Sequence, residues 1–460
     1  MGWNRWYATR SYLRSTLWLV PLTALALEQV TIRLVAAIDY YFYWVPELAT
    51  TTAATVGEMD TVVTLSMSFI VFTFGSMLVA LQVASGQLTP RIIATTLLND
   101  NTIRFTVGLF VFTLLFAAGT RARIETDIPH LAVALAVLLG IASVTAFLYL
   151  IDYTARLLRP VSIAWRIGEQ GIDVIESVYP QVIDGRQVLL VPRSQPSHAE
   201  RTIEHQGKSA IVLAINLDAL VAAARNAGGT IEFVHRVGNF VPTGETLMRL
   251  YGGAKAIDDR MLRAQVAFGP ERTIEQDSIF AFRVIVDMAI KALSKAINDP
   301  TTAVLAIDQL HRLLRSVGRR YLHDDAIFDA DGTLRVISPT PNWDDFVQLS
   351  CREIRLYGAE NFQVARRLRA MIEDLVLILP ESRRSALRCE LNLLDRALEK
   401  LHEFPEDLAL ARQPDLQGLG GSSPRIGQDA KDQELAGPGY GATADADGCS
   451  AGWTRHHAGR

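Results

Sequence analysis

The stretch Asn298-Asp299-Pro300-Thr301-Thr302 interrupts two apolar helical patterns, Ile274–Leu293 and Thr301–Val317, with five polar or rigid residues. Two chemistries use the same atoms. In the first, Asp299 caps the second helix, Pro300 takes the first helical position, Thr301 and Thr302 fill the first turn, and Asn298 suits the turn into the cap. That is a corner reversing the chain between packed helices. In the second, the open N–H groups and threonine hydroxyls hold an anion, or Asp299 and Asn298 hold a cation. Arg272, Gln276 and Asp277 lie one helix earlier and reach the same corner if the two helices run antiparallel. Both alternatives stay open here.

A second kind of chemistry lies in an apolar setting. Glu28, in "LALEQVTIRLV", places a carboxylate inside a stretch greasy enough for lipid, where such a group faces a helix bundle or a wet path unless the stretch ends early. Thr64, Ser66, Ser68, Thr73 and Gln82 supply polar groups to the next apolar stretch, and a pore reading needs them on one face. Glu28 and Gln82 are the membrane-path candidates. Catalytic templates are absent: no G-x-S-x-G, H-E-x-x-H, phosphate loop or dinucleotide fingerprint occurs, which leans against an enzyme and calls for no cofactor. Cys351, Cys389 and Cys449 stand far apart with no zinc spacing, so no metal site is expected. "DADG" at 329–332 lacks the further ligands of a calcium loop and reads as a turn.

These groups must be positioned by two different kinds of chain. Of 460 residues, 49% are apolar and 20% charged, and the net charge of −4 argues against a nucleic-acid partner. Four apolar stretches approach the ~20 residues that cross a bilayer: Leu13–Val35, Val62–Val83, Phe105–Gly119 and Leu131–Ile151. The first is too long for a signal peptide and no small-residue cleavage site follows it. Arginines flank the first span at 5, 10 and 14, the second and third at 91 and 104, and the fourth at 156, 159 and 166. Arg121 and Arg123 are a minor exception on the other side. The bias predicts a multi-pass protein of a bacterial inner membrane with both termini cytosolic. "DYYFYW" (39–44) reads as an outer aromatic belt, and Arg91, in "SGQLTPRIIATTLL", as an interface residue meeting headgroups or the cytosolic part.

The expected fold is therefore a four-helix transmembrane domain (1–155), a small α+β domain (156–270), a helical domain (271–405) and a disordered tail (406–460). Within the second, "SAIVLAI", "NLDALVAAARNAGG" and "TIEFVHR" read as strand, helix and strand, and "RVGNFVPTGETLMRL" (236–250) as a carrier-like hairpin without an acceptor lysine. "AIFDADGTLRVI" reads as a hairpin, and Trp343–Tyr357, Asn361–Ile378 and Arg383–Phe404 as helices.

Three runs carry a family resemblance: Arg272-Thr273 with Gln276-Asp277, "AIKALSKAINDPTTA" (289–303), and "SGQLTPR" (85–91). Over roughly residues 5–405 the chain resembles the bacterial predicted membrane proteins grouped as domain of unknown function 2254. The resemblance implies four spans and a cytosolic C-terminal part, and no established activity. The family pattern has a proline where this chain has Lys295, a departure that removes a helix stop and adds a charge. Two functions follow from the residues: a homo-oligomeric channel or transporter in the lipid bilayer, gated by its cytosolic domains, or a membrane-anchored ligand sensor or enzyme with its site at Asn298–Thr302.

Overall fold

The computed structural model describes residues 2–16, 18–42, 52–87, 100–124, 129–157, 159–183, 198–322 and 325–421. Arg91, most of "SGQLTPR" and the tail beyond 421 lie outside the described residues. The chain is mostly helical and divides into two compact units.

The first unit (1–170, 192–280 and 325–339) contains the membrane helices. A separate helix α1 (Trp3–Ser15) comes first, then α2 (Leu19–Phe42), α3 (Thr52–Gln87), α4 (Asn101–Arg121), α5 (His130–Leu157) and α6 (Pro160–Val178), which runs on into the second unit. α2 to α5 contain the four helices long and apolar enough to cross a membrane. The first span begins at Leu19, not Leu13, because α1 ends at Ser15 and a new helix starts after it. Ile32, Met59, Phe116 and Ala136 form the apolar core of this bundle. Arg121 pairs with Asp60, and Arg123 donates to the carbonyl of Ile32 at 3.0 Å. The two exceptional arginines are thus used locally at the ends of these helices.

The same unit holds β1 (Arg201–Glu204), β2 (Ala210–Ile215), α7 (Leu217–Ala227), β3 (Gly229–Phe233), β4 (Phe240–Val241), β5 (Thr246–Gly252), α8 (Asp259–Arg263), β6 (Val266–Gly269), β7 (Ala326–Phe328) and β8 (Leu334–Ile337). They form a five-stranded sheet, β1-β5-β3-β8-β7, and a three-stranded one, β4-β2-β6. Phe233, Met248, Leu250 and Val336 share a core with Val212, Val241 and Val266. The carrier-like hairpin is corrected here. β4 pairs with β2, β5 pairs with β1 and β3, and the Pro242–Glu245 turn, with Gly244 at φ 83°, carries the chain from one sheet to the other. The β7–β8 hairpin leaves its helical neighbours in sequence and joins β3 in parallel.

The second unit holds most of α9 (Ser278–Ala292), then α10 (Pro300–Gly318), α11 (Trp343–Gly358), α12 (Phe362–Ile378), α13 (Glu381–Leu401) and α14 (Pro405–Ala411). Phe282, Leu310, Phe346 and Leu368 are fully or almost fully buried in it. Residues 406–421 of the expected tail are folded. Asp415, with no exposure, accepts from the N–H groups of Gln417, Gly418 and Gly420. Arg366 of α12 donates to the carbonyls of Gln413 and Gly420. Polar bonds rather than apolar periodicity hold this strap, so composition alone does not reveal it.

Candidate functional site

The corner is built as a cap. Asp299 Oδ1 accepts from the N–H of Thr302 at 3.0 Å, and Oδ2 accepts from the Thr302 hydroxyl at 2.5 Å. Pro300 occupies the first helical position, and Asn298 takes φ 47°, a left-handed conformation that asparagine tolerates. Asn298 and Thr301 are exposed, and Lys295 is exposed in the turn before them. α9 ends at Ala292, three residues before Lys295, and the Asp299 N–H closes on the Ala292 carbonyl at 2.8 Å. Both carboxylate oxygens are therefore engaged within one turn of helix.

Arg272, Gln276 and Asp277 gather elsewhere, around a turn of the first unit. Arg272 Nε donates to the Gly238 carbonyl at 2.7 Å, and Gln276 Oε1 accepts from the Ile215 N–H at 2.9 Å. Asp277 is 4% exposed and stands at the start of α9, where Oδ1 accepts from the Phe280 N–H at 3.2 Å. Its Oδ2 has no hydrogen-bond partner among the described residues. Gly238 sits at φ 90°, and a Cβ placed on it would lie 2.2 Å from that oxygen. Only glycine admits both the backbone and the carboxylate at this point. Burial pushes the Asp277 carboxyl up to about 6, against the opposing pull of Arg272 and the backbone N–H groups of Phe280 and Ile279. The sequence candidates thus fall into two groups, one in each unit.

Residues 272–277 also meet the N-terminal helix. Asn4 N–H donates to the Ala264 carbonyl at 3.0 Å, and Tyr7 lies beside Glu275 and Thr273. Burial, reinforced by the Glu275 carboxylate, raises the Tyr7 phenol above its ordinary range, although its hydroxyl closes no hydrogen bond. One short segment therefore touches the sheets on one side and the helix leading into α2 on the other.

Inside the membrane unit the polar residues separate. Glu28 is the tenth of 21 residues in the span Leu19–Asp39 and is 2% exposed. Gln29 donates to its Oε2 at 2.8 Å, and a Cβ placed on Gly119 of α4 would stand 3.3 Å from its Oε1. The glycine makes room first for Ile32, 2.5 Å from such a Cβ, and then for the Glu28 carboxylate between α2 and α4. Gln82, by contrast, is exposed. The polar residues of α3 do not share one face: Ser66 and Thr73 are buried, whereas Thr64, Ser68 and Gln82 point outward. Within the broad exposed surface of α3, which also includes Leu65, Met67, Phe72 and Val79, one line runs at heptad spacing, Gly57-Thr61-Thr64-Ser68-Val71-Gly75-Leu78-Gln82, all exposed. Counting hydroxyls along the sequence misses this separation, whereas alternating steps of four and three find it.

Sequence reasoning also missed a polar junction where α4 begins. Asp100 caps α4 and is 5% exposed. Its Oδ2 accepts from Tyr153 at 2.6 Å and from Arg166 at 2.9 Å. Burial works to raise this carboxyl, but Tyr153, Arg166 and the Ile103 N–H together hold it below the usual carboxylate range. The signal was Asp100 in "NDNTIRF", a capping residue type a few positions ahead of the third apolar stretch. Among the described residues, no group of three His, Cys, Asp or Glu side chains is placed to hold a metal ion.

No solved structure matches this chain. It is 26% identical over 427 residues, 88% of its length and 80% of theirs, to uncharacterized proteins of Mycobacterium bovis and Mycobacterium tuberculosis. The family of predicted membrane proteins designated DUF2254 matches residues 14–374. With its four membrane-length helices and the polar segment 272–302 inside that match, the chain belongs to the DUF2254 family of predicted membrane proteins.

Proposed function

We propose that the protein is a homo-oligomeric channel- or transporter-like protein of the bacterial inner membrane, with both termini cytosolic and its spans gated by the cytosolic part. The observation that carries this reading is the exposed heptad of α3. Eight residues from Gly57 to Gln82, mostly small or hydroxylated, form a seam that is exposed among the described residues. A Cβ added at Gly57 or Gly75 meets nothing within 4 Å. Thr61 and Ser68 bond their own helix, leaving their methyl and methylene surfaces free to pack. Membrane helices associate through small residues and polar groups of this kind, and a 3.5-residue period suits helices crossing at about 20°. Copies meeting along this seam place Thr64, Ser68 and Gln82 at a shared axis. Glu28, a carboxylate in mid-span, supplies the titratable group inside each protomer. The contacts of α1 with Ala264 and with residues 273–275 give the sheets a handle on α2, which carries Glu28.

Single cysteines placed along α3 in membrane vesicles test the seam. Disulfide dimers at 61, 64 and 68, with little at 59, 62 and 66, are expected; efficient cross-linking at the buried set, or none anywhere, overturns it. Proteoliposomes then test transport: Glu28→Gln should abolish a proton- or cation-dependent flux that the wild-type protein supports. A reporter fused after Arg166 tests orientation and should be protected from outside reagents.

A second reading, a ligand sensor or enzyme, draws less from Asn298–Thr302, where both oxygens of Asp299 are bonded, than from Asp277, whose buried Oδ2 lacks a partner. Isothermal titration of the full chain with small cations and anions distinguishes it: binding abolished by Asp277→Asn and kept by Asp299→Ser supports this site over the corner.

A further inference from the structure

Between α3 and α5 the membrane unit leaves a half-open groove of about 260 Å³. Its walls are Phe72 and Met77 on one side and Phe147 and Ile151 on the other, with Ile103 from the first turn of α4. Phe72 meets Phe147 edge to face at 5.4 Å. Thr73, 6% exposed and with an unpartnered hydroxyl, marks one end, and Thr154 marks the other. The groove is separate from the heptad seam, since Thr73 is buried where the seam is exposed.

We propose that this groove seats one acyl chain of an anionic phospholipid. The chain enters at Thr154, passes Ile151 and Met77, and ends near Phe147 and Thr73. Three observations select that occupant. The walls are apolar and lie on helices that cross a bilayer, so the surrounding solvent is itself a supply of acyl chains. The volume is too small for a helix, because one turn about 10 Å across and 5.4 Å long fills ~400 Å³. A cation follows the Thr154 end in sequence: Ala155 lines the groove, α5 ends at Leu157, and Arg159 just beyond it is exposed with no side-chain bond to any described residue. Arg156 is exposed there too, paired with Asp152. A guanidinium beside the polar end of a groove is placed for a lipid phosphate. The Thr154 hydroxyl, which bonds to no described residue, lies between these arginines and the apolar walls, at the level of an ester carbonyl that would accept from it. The proposal does not depend on self-association and holds for a single chain in a bilayer.

The test uses the full chain reconstituted into vesicles containing phosphatidylglycerol with a photoreactive diazirine midway along one acyl chain. After irradiation, label should concentrate at the groove-lining Thr73, Met77, Ala80, Phe147, Ile151 and Thr154 over the outward positions Leu138, Ile141 and Leu148. Ala80→Phe, which fills the groove, should reduce that label about tenfold, roughly the worth of two methylenes withdrawn from burial. Arg159→Gln should reduce labelling by the phosphatidylglycerol probe and leave a phosphatidylcholine probe unchanged. Thr154→Val should weaken an ester-linked probe more than an ether-linked one. If Ala80→Phe fails to fold, Thr154→Leu serves as the filling variant. Label spread evenly over the outward faces, label undiminished by filling, or cross-links from the groove to a second copy of the chain each overturn the proposal.

Discussion

Asp277 and Asp299 occupy equivalent places at the starts of successive helices, and the residue three positions on makes them different. At Asp299 that residue is Thr302, which supplies a backbone N–H to one oxygen and a hydroxyl to the other. At Asp277 it is Phe280, which supplies the N–H alone. Phe280 is itself 7% exposed and committed to the core. The second oxygen of Asp277 is left buried against Gly238 without a donor, and its carboxyl is correspondingly pushed up to about 6. Of two caps with the same carboxylate, one is satisfied and the other retains an unmet demand for a proton or a ligand.

The largest effect expected from this contrast is at Gly238. Gly238→Ala puts a methyl group where the Asp277 oxygen stands and forces a positive φ on an alanine. The two costs sum to about 2–4 kcal/mol. Chemical denaturation of the purified protein should show it, and a near-neutral result would mean that the carboxylate does not pack on this turn. Next in size is a pH dependence. Because folding raises the Asp277 pKa from 3.8 to about 6, the native state favours the protonated form, and stability present below the unfolded value is lost as pH rises through the folded one. Wild type should lose about 2 kcal/mol relative to Asp277→Asn between pH 4 and pH 7. Parallel pH profiles for the two proteins would remove Asp277 as the titrating group.

At the satisfied cap the effects are smaller. Asp299→Ala should cost about 1 kcal/mol and Asp299→Ser much less, since serine retains an acceptor for the Thr302 N–H. Equal losses from both would show that the charge, and not the cap, matters. Thr302→Val, which makes Asp299 resemble Asp277, removes the hydroxyl donor from Oδ2 and keeps the backbone N–H, and should cost no more than Asp299→Ala in the same denaturation. Smallest of all, Lys295→Pro changes an exposed turn where α9 has already ended, and should move stability by no more than about 0.5 kcal/mol. A large loss there would mean that the Lys295 N–H or backbone angle is used by the fold.

The satisfied cap was legible in the sequence because every participant lies within five residues. The four spans were legible for a similar reason: hydropathy depends on composition within a window, not on partners. Their starts were less so, since the apolar run continues through the break between Ser15 and Leu19, leaving α1 hidden in the expected first span. The Asp277 site combines residues from Ile215, Gly238 and 272–280, and nothing local says that these meet. Its signal was an isolated glycine in "RVGNF". The carrier-like pattern at 236–250 misled because a Pro-Thr-Gly turn serves a hairpin and a crossing between sheets equally well, and only the partners of β4 and β5 decide which. The polar residues of α3 were all visible. Their division between a buried and an outward face depends on which helices pack beside them.

The parallel pairing of β3 with β8 has a consequence for how the chain is made. Ile231 lies opposite Val336, a separation of 336 − 231 = 105 residues, and α9 and α10 are synthesised in between. During translation one edge of the larger sheet stays open until the β7–β8 hairpin has left the ribosome, by which time the spans are already in the membrane. Closure of such a distant contact is slow relative to helix formation, and an open edge invites pairing with another chain. A chain ending before Ala326 should therefore insert normally yet aggregate through β3, and a separately supplied segment containing β7 and β8 should suppress that aggregation.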